Sequence, residues 1–169
     1  MIKQLLLLGV LMNGKMHGYR LNEYVKHVMN FYTDLKKSTV YYILNQLEKD
    51  GYISYALERE GKRPERRIYE LTDKGRVFFY ELLRDSLSSY AQTSFGDDIA
   101  VSFIDSLPPK EVRELLIGKR QKIKDQLKTY KGIGGHSSSL QYVINHNIAH
   151  LETDISWVDG ILNEIEREN

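Results

Sequence analysis

The chain has 169 residues, of which 41% are apolar and 28% charged, and a formal net charge of +1. That length holds one domain or two small ones, and the absence of cysteine excludes disulfides, thiolate metal sites and cysteine nucleophiles. The near-neutral total hides an asymmetry: residues 1 to 72 carry 12 Lys and Arg against 8 Asp and Glu, and residues 73 to 169 carry 12 against 15. The basic part is N-terminal, and the placement of its charges matters more than their number.

The opening run has one lysine before a short apolar stretch, like a signal peptide. Asn13-Gly14-Lys15 follows where a small-residue cleavage site would stand, and no later run is long enough to span a bilayer. The stretch reads as a buried first helix, Ile2 to about Met12, of a cytoplasmic protein without a membrane partner. His17-Gly18-Tyr19 then leads into a second helix ending near Asn30.

In the third helix Val40, Ile43, Leu44 and Leu47 recur at helical spacing and form a buried side. Ser38 or Thr39 is placed to cap its start, and Gly51 to end it with a left-handed turn. The same rotation sends Ser38, Tyr42, Asn45 and Lys49 outward, with Tyr41 and Gln46 flanking them. An ordinary surface helix carries acid and base pairs there. Hydroxyls, amides and one cation are instead the groups that read base edges and phosphates in a major groove.

After Gly51, Tyr52 with Ser54 and Ile68 with Glu70 show the partial alternation of half-exposed strands, and Glu60-Gly61-Lys62-Arg63-Pro64 breaks them into a hairpin. From Arg59 to Arg67 this turn carries five basic and two acidic residues. A basic turn alone is merely solvated. Beside an amphipathic third helix it takes the place of a wing that reaches phosphates or the minor groove. The expected fold is mainly α with a small β-hairpin: a winged helix-turn-helix domain over residues 1 to 76, then an all-helical dimerisation domain over residues 77 to 169.

In that second part Thr72 caps a helix to about Tyr90, Ser94-Phe95-Gly96 breaks the chain, and a short helix follows from Asp97 to Ser106. Leu107-Pro108-Pro109 turns into a helix from Lys110 to about Tyr130. Gly132 to Ser139 is a connector, lacking the lysine and preceding strand of a phosphate-binding loop. On the last helix, Leu140 to about Glu166, Ile144, Ile148, Leu151, Ile155, Val158 and Leu162 approximate a heptad seam. The seam packs against a second copy, giving a homodimer, or against the Lys110 helix of its own chain.

Phe95, Phe103, Tyr130, Tyr142 and Trp157 are candidate walls of a pocket for a small aromatic or hydrophobic effector, or plain core. His146 and His150 have a zinc-compatible spacing but no adjacent glutamate, so a polar helix face is expected and no metal. No paired carboxylates or serine, histidine and aspartate set points to an enzyme, and no cofactor is expected.

Five segments occur in order: Leu6 to Leu11, His17-Gly18-Tyr19-Arg20-Leu21, Ser38-Thr39-Val40-Tyr41, Leu47 to Ile53, and Arg67 to Arg76. Together they resemble the PadR family of bacterial transcriptional regulators. The remainder, with Phe103, Leu107-Pro108-Pro109 and Trp157, is similar to the helical C-terminal domain of that family's virulence-activator branch. The resemblance implies a homodimer joined through C-terminal helices that binds a double-stranded DNA operator, most often as a repressor.

Carried over residue by residue, the resemblance makes Tyr41 the motif tyrosine, ordering the helix start or meeting a phosphate. Ser38, Thr39, Tyr42 and Asn45 are candidates for base edges, Lys49 for a phosphate, and Lys62, Arg63, Arg66 and Arg67 for wing contacts. Tyr42 stands where the family commonly has proline, which changes the exposed helix surface, so family-typical operator contacts do not carry over by resemblance alone. The alternative reading is a winged-helix module that holds protein partners without binding DNA.

Overall fold

The computed structural model describes residues 1–28, 35–59, 65–90, 95–134 and 138–167. It divides into two compact units, Met1–Gln92 and Thr93–Asn169. Asn30, the expected end of the second helix, and the break at Ser94 lie outside the described residues, as does most of the wing turn.

In the first unit α1 (Ile2–Leu11) buries Leu7, Leu8, Val10 and Leu11, the outcome expected of its apolar run. Helix α2 (Gly18–Val28) buries Leu21 and Val25, and α3 (Lys37–Lys49) buries Val40, Ile43, Leu44 and Leu47. These side chains meet Ile53, Tyr69 and Leu82 in one core. Burial on one stripe of each helix removes apolar area from water at roughly 25 cal/mol per Å², which is what holds three short helices together.

The start of α3 differs from the sequence expectation. Lys36 is extended (φ −64°, ψ 145°) and serves as the N-cap without a side-chain hydrogen bond. Ser38 and Thr39 therefore lie inside the first turn, and neither caps. The end is as expected: Gly51 has φ 75°, the Tyr52 N–H donates to the Leu47 carbonyl at 2.8 Å, and the Gly51 N–H donates to Glu48 at 2.9 Å. A left-handed glycine closing two such bonds satisfies carbonyls the helix would otherwise leave orphaned.

The sheet has three strands, not two. Strands β1 (Met16–His17), β2 (Ile53–Glu58) and β3 (Arg66–Leu71) lie in the order β1-β3-β2. The hairpin pairs Ile53 with Leu71 through Glu58 with Arg66, and β1 adds Met16 opposite Tyr69 and His17 opposite Ile68. Two residues carry no alternation of their own; β1 is extended because β3 offers it an edge. Arg66 and Arg67 consequently sit in β3 and not in the polar turn.

Thr72 caps α4 (Asp73–Ser88) as its sequence position requires. Its Oγ1 accepts the Gly75 N–H at 3.0 Å and lies 2.8 Å from the Gly51 carbonyl, to which it donates. Leu82 is buried in the first core, with Phe78 and Phe79 against it. The first unit thus runs past α4, and the boundary drawn at Arg76 falls inside this helix because its apolar side belongs to the N-terminal core.

The second unit holds α5 (Gly96–Val101), a 3-10 turn (Ile104–Ser106), α6 (Pro109–Lys131) and α7 (Ser138–Arg167). The helix expected over Asp97 to Ser106 is thus split at Ser102 and Phe103. Arg113 pairs with Glu166, Arg120 with Asp159 and Lys131 with Glu152. Numbers that rise on one helix while falling on the other make α6 and α7 an antiparallel pair. Val112, Leu116, Val158 and Leu162 form its core. Among the described residues no helix is long and apolar enough to cross a membrane.

Candidate nucleic-acid interface

Burial of Val40, Ile43, Leu44 and Leu47 fixes the rotation of α3, and that rotation leaves Ser38, Tyr42, Asn45 and Lys49 exposed. Tyr42 is 64% exposed, a large aromatic turned to solvent beside an amide. Thr39 and Tyr41 are half-buried. Tyr41 leans on the first residue of α2: a Cβ on Gly18 would come within 3.2 Å of its ring, and within 3.0 Å of the Tyr69 ring. The Lys37 ammonium lies 5.9 Å from the Tyr41 ring centre. Gly18 lets two tyrosines close on the backbone, and this contact ties the start of α3 to the sheet.

On the sheet side, Arg67 lies 4.3 Å over the Tyr55 ring, and Tyr55 meets Tyr69 edge to face at 5.9 Å. The hydrogen bond to the Tyr69 side chain holds the Arg67 guanidinium above its ordinary pKa, against a small opposing effect of burial. Arg66 lies 5.4 Å over Tyr19, which stacks on His17 at 5.7 Å. His17 Nε2 is 3.1 Å from the Glu58 carboxylate, and its buried Nδ1 has no partner. Lys15 pairs with Glu70 and holds that carboxyl below its ordinary pKa. Glu58 and Glu70 are therefore each matched to a basic side chain, while the arginines face outward.

These elements enclose a cleft of about 700 Å³ lined by His17, Gly18, Tyr19, Tyr41, Asn45, Arg66, Arg67 and Tyr69. The structure thus brings together Tyr41 and Asn45 of α3 with Arg66 and Arg67 of β3. Ser38, Thr39, Tyr42 and Lys49 lie on the same helix outside the cleft. Lys62 and Arg63 lie outside the described residues. His17, Gly18, Tyr19 and Tyr69 were not among the sequence candidates. The signal available for them was a glycine between two aromatic side chains, which marks a close backbone approach.

In the second unit, the five aromatic candidates differ in exposure. Tyr130 is buried, Trp157 is half-buried under the Lys119 ammonium at 5.2 Å, and Phe95, Phe103 and Tyr142 are exposed. A cleft of about 380 Å³ there is lined by Ile104, Asp105, Leu107, Pro109, Val112, Ile161, Glu164 and Ile165. None of the five reaches it. Of the seam residues, Ile144, Val158 and Leu162 are buried within the single chain, Val158 and Leu162 against α6. Ile148, Leu151 and Ile155 are half-buried. His146 and His150 lie edge to face at 5.6 Å, with Phe95 5.8 Å from His150.

Residues 7–81 match the model of the transcriptional regulator PadR-like family. A curated relative, the negative transcriptional regulator PadR of Bacillus subtilis, is 23% identical over 177 residues, covering 96% of each chain. The crystal structure of Bacillus subtilis PadR in complex with operator DNA superposes with a TM-score of 0.83 at 23% identity, over 98% of this chain and 99% of that one. The Vibrio cholerae virulence activator AphA superposes with a TM-score of 0.74 at 16% identity, over 99% of both chains. The family match spans the unit that carries α3, β2, β3 and the cleft, and both folds extend through the C-terminal helices. It is the N-terminal domain of this chain, residues 7–81, that matches the PadR-like family of transcriptional regulators.

Proposed function

We propose that the protein binds a near-palindromic operator as a homodimer and represses the adjoining gene, with α3 in the major groove and the β2–β3 hairpin as its wing. The observation that carries this reading is the face of α3. Its core side is dictated by four buried aliphatic residues, and what then faces outward is a hydroxyl, a phenol, an amide and an ammonium beside two arginines. Asn45 has the bidentate amide suited to adenine, and Lys49 has the point charge suited to a phosphate. The protein works in the cytoplasm and carries out no chemical step. The relative solved with operator DNA supports this reading by its fold.

The test is a selection from random duplexes, followed by fluorescence anisotropy on the enriched sequence at two salt concentrations. Asn45→Ala is expected to cost about 1–3 kcal/mol and to relax preference at one base pair in each half-site. A protein that enriches no sequence, and whose weak binding disappears with salt, would return the reading to a protein-interaction module.

The second unit supplies the dimer contact in this reading. Ile99, Phe103, Leu115 and Tyr142 are exposed apolar side chains there, and a second copy is a partner that covers such a surface with its own. Sedimentation equilibrium is expected to give twice the mass of the chain, placing two α3 helices about one turn of DNA apart. A monomer at micromolar concentration would remove the palindrome from the proposal.

A further inference from the structure

We propose that the cleft between the start of α2 and β3 seats a single DNA backbone phosphate, held by the Tyr19 hydroxyl and the Arg66 guanidinium. The inference rests on the DNA-binding reading and adds to it a contact that the outward face of α3 does not provide.

Three observations carry it. First, Arg20 Nε donates to the Tyr19 hydroxyl oxygen at 3.3 Å. One lone pair of that oxygen is thereby occupied, and its own proton is left to donate. Second, Arg66 is already placed, its guanidinium 5.4 Å from the Tyr19 ring centre, so it loses less freedom on binding than a free arginine. Third, the nearest acid is engaged elsewhere. Glu58 is the cross-strand partner of Arg66, yet its carboxylate meets His17 Nε2 at 3.1 Å. Among the described residues no carboxylate pairs with Arg66.

The stack of His17 on Tyr19, 5.7 Å apart and 29° from parallel, fixes the ring that carries the hydroxyl and lies beneath Arg66. A phosphodiester has two non-bridging oxygens, one for the phenolic proton and one for the guanidinium. The cleft, at about 700 Å³, is roomier than the charged group alone and takes the flanking sugars. Tyr41 and Asn45 of α3 line the same cleft. The seat therefore adjoins the reading helix and adds affinity without reading a base.

The experiment uses the full chain and the duplex it enriches from random DNA, with one phosphate at a time replaced by an uncharged methylphosphonate. For the unaltered protein one position in each half-site is expected to weaken binding roughly tenfold or more. Tyr19→Phe and Arg66→Gln are each expected to weaken binding to the unmodified duplex by a similar factor. In both variants the methylphosphonate at that position is expected to do less harm than in the unaltered protein, and in the double variant none. Base preference stays unchanged, and Arg66→Gln, which removes one contact in each half-site, lowers the salt slope by about 1.8. Tyr19→Phe keeps the ring under Arg66, so matching thermal unfolding shows that the fold is intact.

Variants that bind like the unaltered protein, a scan in which no position loses its effect in them, or a shifted base preference would overturn the seat while leaving DNA binding in place. A protein that enriches no duplex overturns the DNA-binding reading and the seat with it.

Discussion

Gly75→Ala is expected to destabilise the N-terminal unit by more than about 3 kcal/mol, enough to populate its unfolded form at ordinary temperature. A Cβ built on Gly75 lies 1.9 Å from the Tyr52 carbonyl oxygen, a backbone atom that cannot swing aside. That oxygen also accepts the Thr72 N–H at 3.1 Å and lies 3.0 Å from Thr72 Oγ1. Retreat of α4 would break the cap, pull Lys74 from the Asp50 carbonyl it meets at 2.7 Å, and separate Phe78 from Tyr52, stacked at 4.1 Å. Gly51→Ala is the informative control. Nothing lies within 4 Å of its Cβ, and its cost comes only from φ 75°, about 1–2 kcal/mol. Urea unfolding of the two variants should separate the collision from the backbone strain. Equal, small losses would mean that α4 and the turn at Tyr52 are not packed as described.

The second large effect is expected at Tyr69. It lies in the middle strand, 2% exposed, paired across to Met16 on one side and Tyr55 on the other. Its ring packs over Gly18, and its side chain favours the charged form of Arg67. Tyr69→Ala removes a large buried aromatic from a site bordered by backbone, where collapse is limited, and should cost about 3–5 kcal/mol. Tyr69→Phe keeps the ring and should cost no more than about 1.5 kcal/mol of stability. The phenylalanine variant isolates the function: Arg67 loses that partner, and the affinity for DNA is expected to fall while the unfolding transition barely moves. Were both variants equally stable, the ring could not be the floor of the cleft.

What the sequence made legible follows from how local each cause is. The buried stripe of α3, the left-handed Gly51 and the Thr72 cap depend on neighbours within a few residues, and all three stand where spacing and residue type put them. The cap of α3 lies earlier than residue type predicts because a hydroxyl near a helix start is also at home inside the first turn, and the backbone is extended at Lys36, two residues before Ser38. Strand β1 was invisible because its cause lies in β3, some fifty residues further along the chain. Arg66 and Arg67 open the second strand of the hairpin after the Glu60 to Pro64 break, as the run Arg66 to Leu71 predicts, and pair with Glu58 and Leu57. On α7, period alone could not say which helix the seam meets. Val158 and Leu162 spend their surface on α6 of the same chain. The aromatic candidates of the second unit were chosen by residue type without a shared face, and their exposures differ accordingly.

The strand order β1-β3-β2 also governs the sequence of events as the chain is made. The middle strand comes last, so a chain released before Leu71 owns two outer strands and nothing between them. Its three helices would already be synthesised, but Met16 to His17 and Ile53 to Glu58 would stand as unpaired edges, open to any other chain. A fragment ending after β2 is therefore not a smaller DNA reader. It is an adhesive intermediate, and the polypeptide becomes safe from its own kind only when the strand that carries both arginines arrives.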